Sequence, residues 1–178
     1  MKSLKEFKIP YVGLKNGLHS FLYSIDKTFF TYFENSLVSE GNLKVEALFD
    51  KRDAGFFTLE ISVSGVVQVE CDRCSDSFFL PISGQNKIII KFENDDSLVE
   101  EEADVMYINR TDTIIDISHL IYEYIVLAIP IHKVHPTDEN GGNTCNQEVL
   151  KILEKQEDKI NDTPDERWAI LEKLKKQK

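Results

Sequence analysis

The chain has little cysteine, little proline and a single tryptophan: 3 Cys, 5 Pro and 1 Trp in 178 residues. Three cysteines are an odd and small number, which argues against a disulfide framework and leaves reduced thiols as the default. A long apolar run is also missing, since no window holds the roughly 18 to 20 uninterrupted apolar residues that a membrane span needs. The first residues, MKSLKEFKIPYVG, contain neither an apolar stretch of signal-peptide length nor a small-residue cleavage site. A cytoplasmic protein without membrane association is therefore expected.

Positive charge is in deficit too. With 21 basic against 31 acidic residues the formal net charge is −10, and phosphate neutralisation dominates sequence-independent nucleic-acid affinity, so indiscriminate nucleic-acid binding is not expected, nor is DNA as a partner. The motifs of common catalysts are lacking as well. No glycine-rich phosphate loop, nucleophile elbow or His-Glu-x-x-His occurs, and the expected protein is not an enzyme.

What is present has the composition of a globular domain, 42% hydrophobic and 29% charged. Residues 4–12 contain Pro10 and predict an edge strand or extended entry. Leu18 to Ile25 predicts a strand, and Phe29, Phe30 and Phe33 sit at helical spacing in a short helix over Thr28–Asn35. Leu43, Val45, Ala47 and Phe49 then alternate with other residues, followed by a long strand or two over 56–70 with a bulge or bend at Ser64-Gly65. Gln85–Phe92 and Val105–Ile108 add two more strands. Between them ENDDSLVEEEAD, with no basic residue, predicts a solvated loop.

A helix capped by Asp116 or Ser118 runs to about Ala128, with Leu120, Ile121, Tyr124, Ile125 and Ala128 on one face, and Pro130 ends it. Residues 146–160 predict an amphipathic helix. Thr163-Pro164-Asp165-Glu166 is a capping box for a last helix with Trp168, Leu171 and Leu174 on one side. The fold class expected is α+β: an antiparallel β-meander or partly open β-barrel covered by a helix, with C-terminal helices. The boundaries expected are 1–135 for a mainly β domain with one buried helix near 117–128, and 136–178 for a helical extension.

The chemistry-bearing stretch is VVQVECDRCSDSFFLP, where Cys71-x-x-Cys74 stands between two strand-like runs. That is the shape of a metal-binding knuckle, whereas a redox Cys-x-x-Cys opens a helix. Two thiolates at this spacing reach one tetrahedral zinc ion, with Cys145 and either His135 or His132 completing the set. The alternative is a turn of reduced thiols without metal. A Cys145–His135 nucleophilic pair is a further alternative, and His19 and His119 read as ordinary strand and helix-start residues.

The order of Val69-Glu70-Cys71-Asp72-Arg73-Cys74, Ile115-Asp116-Ile117, Glu123 with Leu127-Ala128-Ile129-Pro130, then His135, Cys145 and Arg167-Trp168 with Leu171 and Leu174-Lys175 resembles the YceD family. These are the large ribosomal RNA subunit accumulation proteins. The resemblance runs from about residue 66 to the C-terminus. It implies a ribosome-biogenesis factor acting by binding rather than catalysis, with large-subunit ribosomal RNA or its assembly proteins as partners. It also implies Cys71, Cys74, His135 and Cys145 as the positions matching the family's Cys and His pattern. Arg73, Arg167, Trp168, Leu171, Leu174 and Lys175 are the candidate partner-binding residues. Two departures stand out: this chain has only Cys145 where some members carry a cysteine-rich segment, and Asp165-Glu166-Arg167 where many have Asp-Pro-Arg. A zinc-binding interaction module unrelated to the ribosome is the competing expectation.

Overall fold

A computed structural model describes residues 4–52, 56–92, 104–138 and 142–160. The acidic stretch at 93–103 and the capping box with its helix, including Arg167, Trp168, Leu171, Leu174 and Lys175, lie outside the described residues. The chain divides into two compact units, Met1–Val69 with Phe79–Ile131, and Glu70–Phe78 with His132–Lys178.

The first unit is built on a five-stranded sheet in the order β2-β3-β4-β5-β6, with β2 Gly17–Ile25, β3 Gly41–Lys51, β4 Phe56–Glu70, β5 Ser77–Phe92 and β6 Val105–Ile108. A second, two-stranded sheet joins β1 Lys8–Ile9 antiparallel to β7 Ile115–Asp116. The expected α+β class holds, and the sheet does not close into a barrel. The period-2 pattern translates directly into burial: Leu43, Val45, Ala47 and Phe49 of β3 and Phe57, Leu59, Ile61 and Val63 of β4 are all buried. Strands β2–β3 and β3–β4 are antiparallel.

Three details depart from the sequence expectation. First, β4 is one strand without a bulge at Ser64-Gly65: Lys44 pairs Ser64, Leu43 pairs Gly65 and Asn42 pairs Val66 in unbroken register. Second, the strand-like run after Cys74 and the strand from Gln85 are one strand, β5, which starts at Ser77 and runs through Pro81. Strand β6 pairs with β5 only over Ile89–Phe92, so at Pro81 one side of β5 has no strand beside it among the described residues. That is where a missing N–H costs no ladder bond. Third, β5 and β6 are parallel, whereas an all-antiparallel meander was expected.

The entry segment is only briefly extended, but its apolar residues Phe7, Ile9 and Tyr11 are buried. Helix α1, Lys27–Phe30, is shorter than expected and is capped by Asp26, whose carboxylate accepts the Thr28 N–H. Phe33 lies beyond its end and stacks on Tyr122 with centroids 4.3 Å apart. Helix α2, Ser118–Leu127, buries Ile121, Tyr124 and Ile125, as its periodicity predicts. The Asp116 carboxylate accepts both the N–H and the hydroxyl of Ser118. Near the helix end Ala128 lies so close to Gly84 of β5 that a Cβ on residue 84 would stand 3.2 Å from the alanine methyl.

Candidate metal centre

The second unit has its own small core, made of Cys71, Cys74 and Cys145, each at most 4% exposed, with Phe78, Val149 and Leu150 packed against them. The turn carrying the first two cysteines is closed by backbone bonds. The Cys71 N–H donates to the Asp76 carbonyl at 3.0 Å, and the Ser75 N–H donates to the Cys71 carbonyl at 2.8 Å. Ser75 takes a left-handed φ of 62°, which lets the chain reverse within the knuckle.

The second half of the site arrives through a clamp that no spacing in the sequence reveals. Asp72 and Lys133 exchange two bonds, the Asp72 N–H donating to the Lys133 carbonyl and the Lys133 N–H to the Asp72 carboxylate, each at 2.7 Å. The Lys133 ammonium adds an ion pair at 3.3 Å. The Lys133 N–H, followed by that ammonium, holds the Asp72 carboxyl below the usual range against a smaller opposing effect of burial. Two residues further on, His135 lies against the Phe78 ring with centroids 4.5 Å apart. On the C-terminal side the Asn143 carboxamide accepts the Cys145 N–H, and the side chain of Asn146 caps helix α3, Gln147–Ile160, by accepting the Glu148 N–H. The Asn146 amide also donates to Asp76, tying the start of α3 to the knuckle.

These contacts bring one donor atom from each of Cys71, Cys74, His135 and Cys145 within 4.8 Å of one another. The spacing fits one ion. With metal–sulfur bonds of about 2.3 Å and metal–nitrogen bonds of about 2.0–2.1 Å, a tetrahedron has S···S edges of about 3.8 Å and S···N edges of about 3.6 Å. Here Sγ of Cys71 and Cys145 are 3.8 Å apart, and Sγ of Cys74 is 3.5 Å from Nδ1 of His135. His135 rather than the exposed His132 joins the group. His19 instead bonds the Lys15 carbonyl through Nε2, and His119 stands edge-on to Phe33.

The thiols of Cys71 and Cys145 are shifted in opposite directions. Burial raises the Cys71 thiol, but N–H groups of Arg73, Cys74 and His135 outweigh it and bring the thiol down to about 6. Burial pushes the Cys145 thiol up, and the Cys71 and Cys74 sulfurs add to that, the opposite of an activated nucleophile. Three thiolates and one imidazole suit zinc, and four protein ligands leave no open position for a substrate. Arg73 is exposed on the turn.

Removing the carboxylate half of the clamp tests its contribution. Asp72→Ala is expected to weaken metal binding by about tenfold, the lower range for groups that orient ligands, measured by competition with a chromogenic chelator. An unchanged affinity would show that the Lys133 segment is held without it.

A family model described as "Large ribosomal RNA subunit accumulation protein YceD" matches residues 59–175, a span containing all four donor residues. No curated protein and no solved structure matches the chain.

Proposed function

The chain belongs to the YceD family, the large ribosomal RNA subunit accumulation proteins, and from that premise we propose that it is a ribosome-biogenesis factor acting by binding. The family match over residues 59–175 carries the role in RNA accumulation. The closed donor set of Cys71, Cys74, His135 and Cys145 supports binding over catalysis, because a zinc ion held by four protein ligands is a structural strut. On this reading the ion would fix the turn that presents Arg73, while Arg167, Trp168, Leu171, Leu174 and Lys175 offer an apolar anchor and local positive charge to the partner. The net charge of −10 favours recognition of an assembly protein, or of RNA through a local basic surface, over general phosphate binding.

The deciding experiment is sucrose-gradient and RNA analysis of cells lacking the protein. Large-subunit RNA is expected to fall relative to small-subunit RNA while precursors accumulate, and a Cys71→Ser/Cys74→Ser copy is expected not to restore it. Normal large-subunit and precursor levels would sink the proposal. Normal levels together with near-equimolar zinc in the purified protein would select the second reading, a zinc-dependent interaction module without a ribosomal role, which rests on the same tetrahedral spacing.

A further inference from the structure

Strand β2 forms one edge of the five-stranded sheet, and its nine residues, GLHSFLYSI, include no Lys, Arg, Asp, Glu or Pro. This is unusual in a chain that is 29% charged. Edge strands are normally blunted by charge, proline, a bulge or shortness, because a row of unpaired N–H and C=O groups pairs with any available strand. The opposite edge, β6, is only four residues long. Strand β2 has none of these protections. Its register with β3 is unbroken from Gly17–Lys51 to Ile25–Leu43, so there is no bulge, and no strand lies on its outer side among the described residues.

The side chains indicate the same vacancy. On the open face of the sheet Leu18 is 67% and Leu22 is 79% exposed, with the half-buried Leu48 of β3 opposite the intervening Ser20. On the other face His19, Phe21 and Tyr23 point toward the core side yet are only half-buried, as expected where the sheet stops one strand short.

We propose that β2 is a self-association edge, pairing antiparallel with β2 of a second copy of this chain about a two-fold axis through Ser20. The spacing of the strand is self-complementary about that residue. Centring on Ser20 sets Leu18 opposite Leu22 of the partner subunit and Leu22 opposite Leu18 of the partner subunit, with Ser20 facing Ser20 of the partner subunit. The four leucines form one apolar cluster, and Phe21 gains His19 of the partner subunit as its cross-strand neighbour. Strand β2 itself carries no charged side chain, and the Glu46 carboxylate of β3 accepts the Ser20 hydroxyl, so the edge itself fits a neutral strand. About a Ser20 axis the seven residues Gly17–Tyr23 of each copy pair, a strip about 23 Å long at the small end of specific interfaces, so a reversible dimer is expected rather than an obligate one. Because each copy carries a net charge of −10, added salt screens their repulsion and strengthens the dimer.

Sedimentation velocity over a concentration series tests the proposal on the full chain. The wild type is expected to shift from monomer to dimer with concentration, and more readily at higher ionic strength. Leu22→Lys, on an exposed position where folding is not at stake, is expected to weaken association by about tenfold or more, since the symmetric interface loses two leucines at once. The register has its own test. Ser20→Lys and Ser20→Glu are each expected to be monomeric, and their equimolar mixture to dimerise. A wild type that stays monomeric at every concentration, a Leu22→Lys dimer as stable as wild type, or a mixture that fails to associate overturns the proposal. A monomer whose β2 amides resist hydrogen exchange also overturns it, by assigning the edge to another occupant.

Discussion

Replacing Cys145 by serine is expected to strip the metal from the protein and unfold the second unit around it. The purified wild type should carry zinc at close to equimolar level, and the variant a small fraction of it. The reason is the scale of the energies. Structural zinc sites supply about 10–16 kcal/mol of apparent binding free energy, which is also folding free energy. Without the ion, the second unit has only three thiols, Phe78, Val149 and Leu150 to hold its described core together. Serine keeps the size of the side chain but cannot act as a thiolate, so the loss reports ligation and not volume. Hydrogen exchange should then rise over Glu70–Phe78 and over the described part of α3. The core of the first unit, from Phe7 to Ile125, contains none of the four donors, and its protection should persist. A chelator added to the wild type should reproduce the same pattern. Unchanged exchange and a metal-free wild type would mean that the three cysteines pack as thiols.

The sheet was legible wherever one face is buried. Alternation over Leu43–Phe49 and Phe57–Val69 survives translation into structure because those residues face a single core. The two halves of strand β5 were legible only as separate runs, Phe78–Leu80 and Gln85–Phe92, because the proline and glycine between them resemble punctuation. Their tolerance depends on there being no strand beside Pro81 among the described residues and on the approach of Ala128 at Gly84, both tertiary facts. The parallel pairing of β6 was hidden for a similar reason. Four residues, Val105–Ile108, carry a strand pattern but no direction.

The candidate metal site was half legible. The two-residue separation of Cys71 and Cys74 announces a knuckle by itself. The choice of His135 over His132 came from the family pattern, not from periodicity, and the contacts that deliver it are long-range. Asp72 and Lys133 are 61 residues apart, and Asp76 and Asn146 are 70 apart. Neither pair has a spacing that a sequence pattern encodes. Asp and Asn around a Cys-x-x-Cys read as turn residues, and only the fold shows that they also join the segments bearing the ligands.

The largest expected effect in the first unit falls on a residue with no side chain. Gly65→Ala is expected to destabilise the protein by about 3 kcal/mol or more, combining steric overlap with backbone strain. Gly65 has φ +151°, a conformation that L residues rarely adopt, and it sits directly opposite Leu43 of β3. A Cβ there would stand 2.2 Å from the Asn42 carbonyl oxygen and 2.7 Å from Cα of Leu43, both backbone atoms of the neighbouring strand. No rotamer change relieves such contacts. Strand β3 would have to move away from β4, opening the ladder between Lys44–Ser64 and Asn42–Val66 and loosening the buried Leu43 and Val67. The glycine is thus what lets a fifteen-residue strand pass straight through a position that reads as a break. Chemical denaturation with Ser64→Ala as the control isolates the cost specific to Gly65. Ser64 is exposed, so its substitution should stay within about 0.5 kcal/mol of wild type. A Gly65→Ala midpoint as close to wild type as that control would show that the strands part at Gly65 without cost.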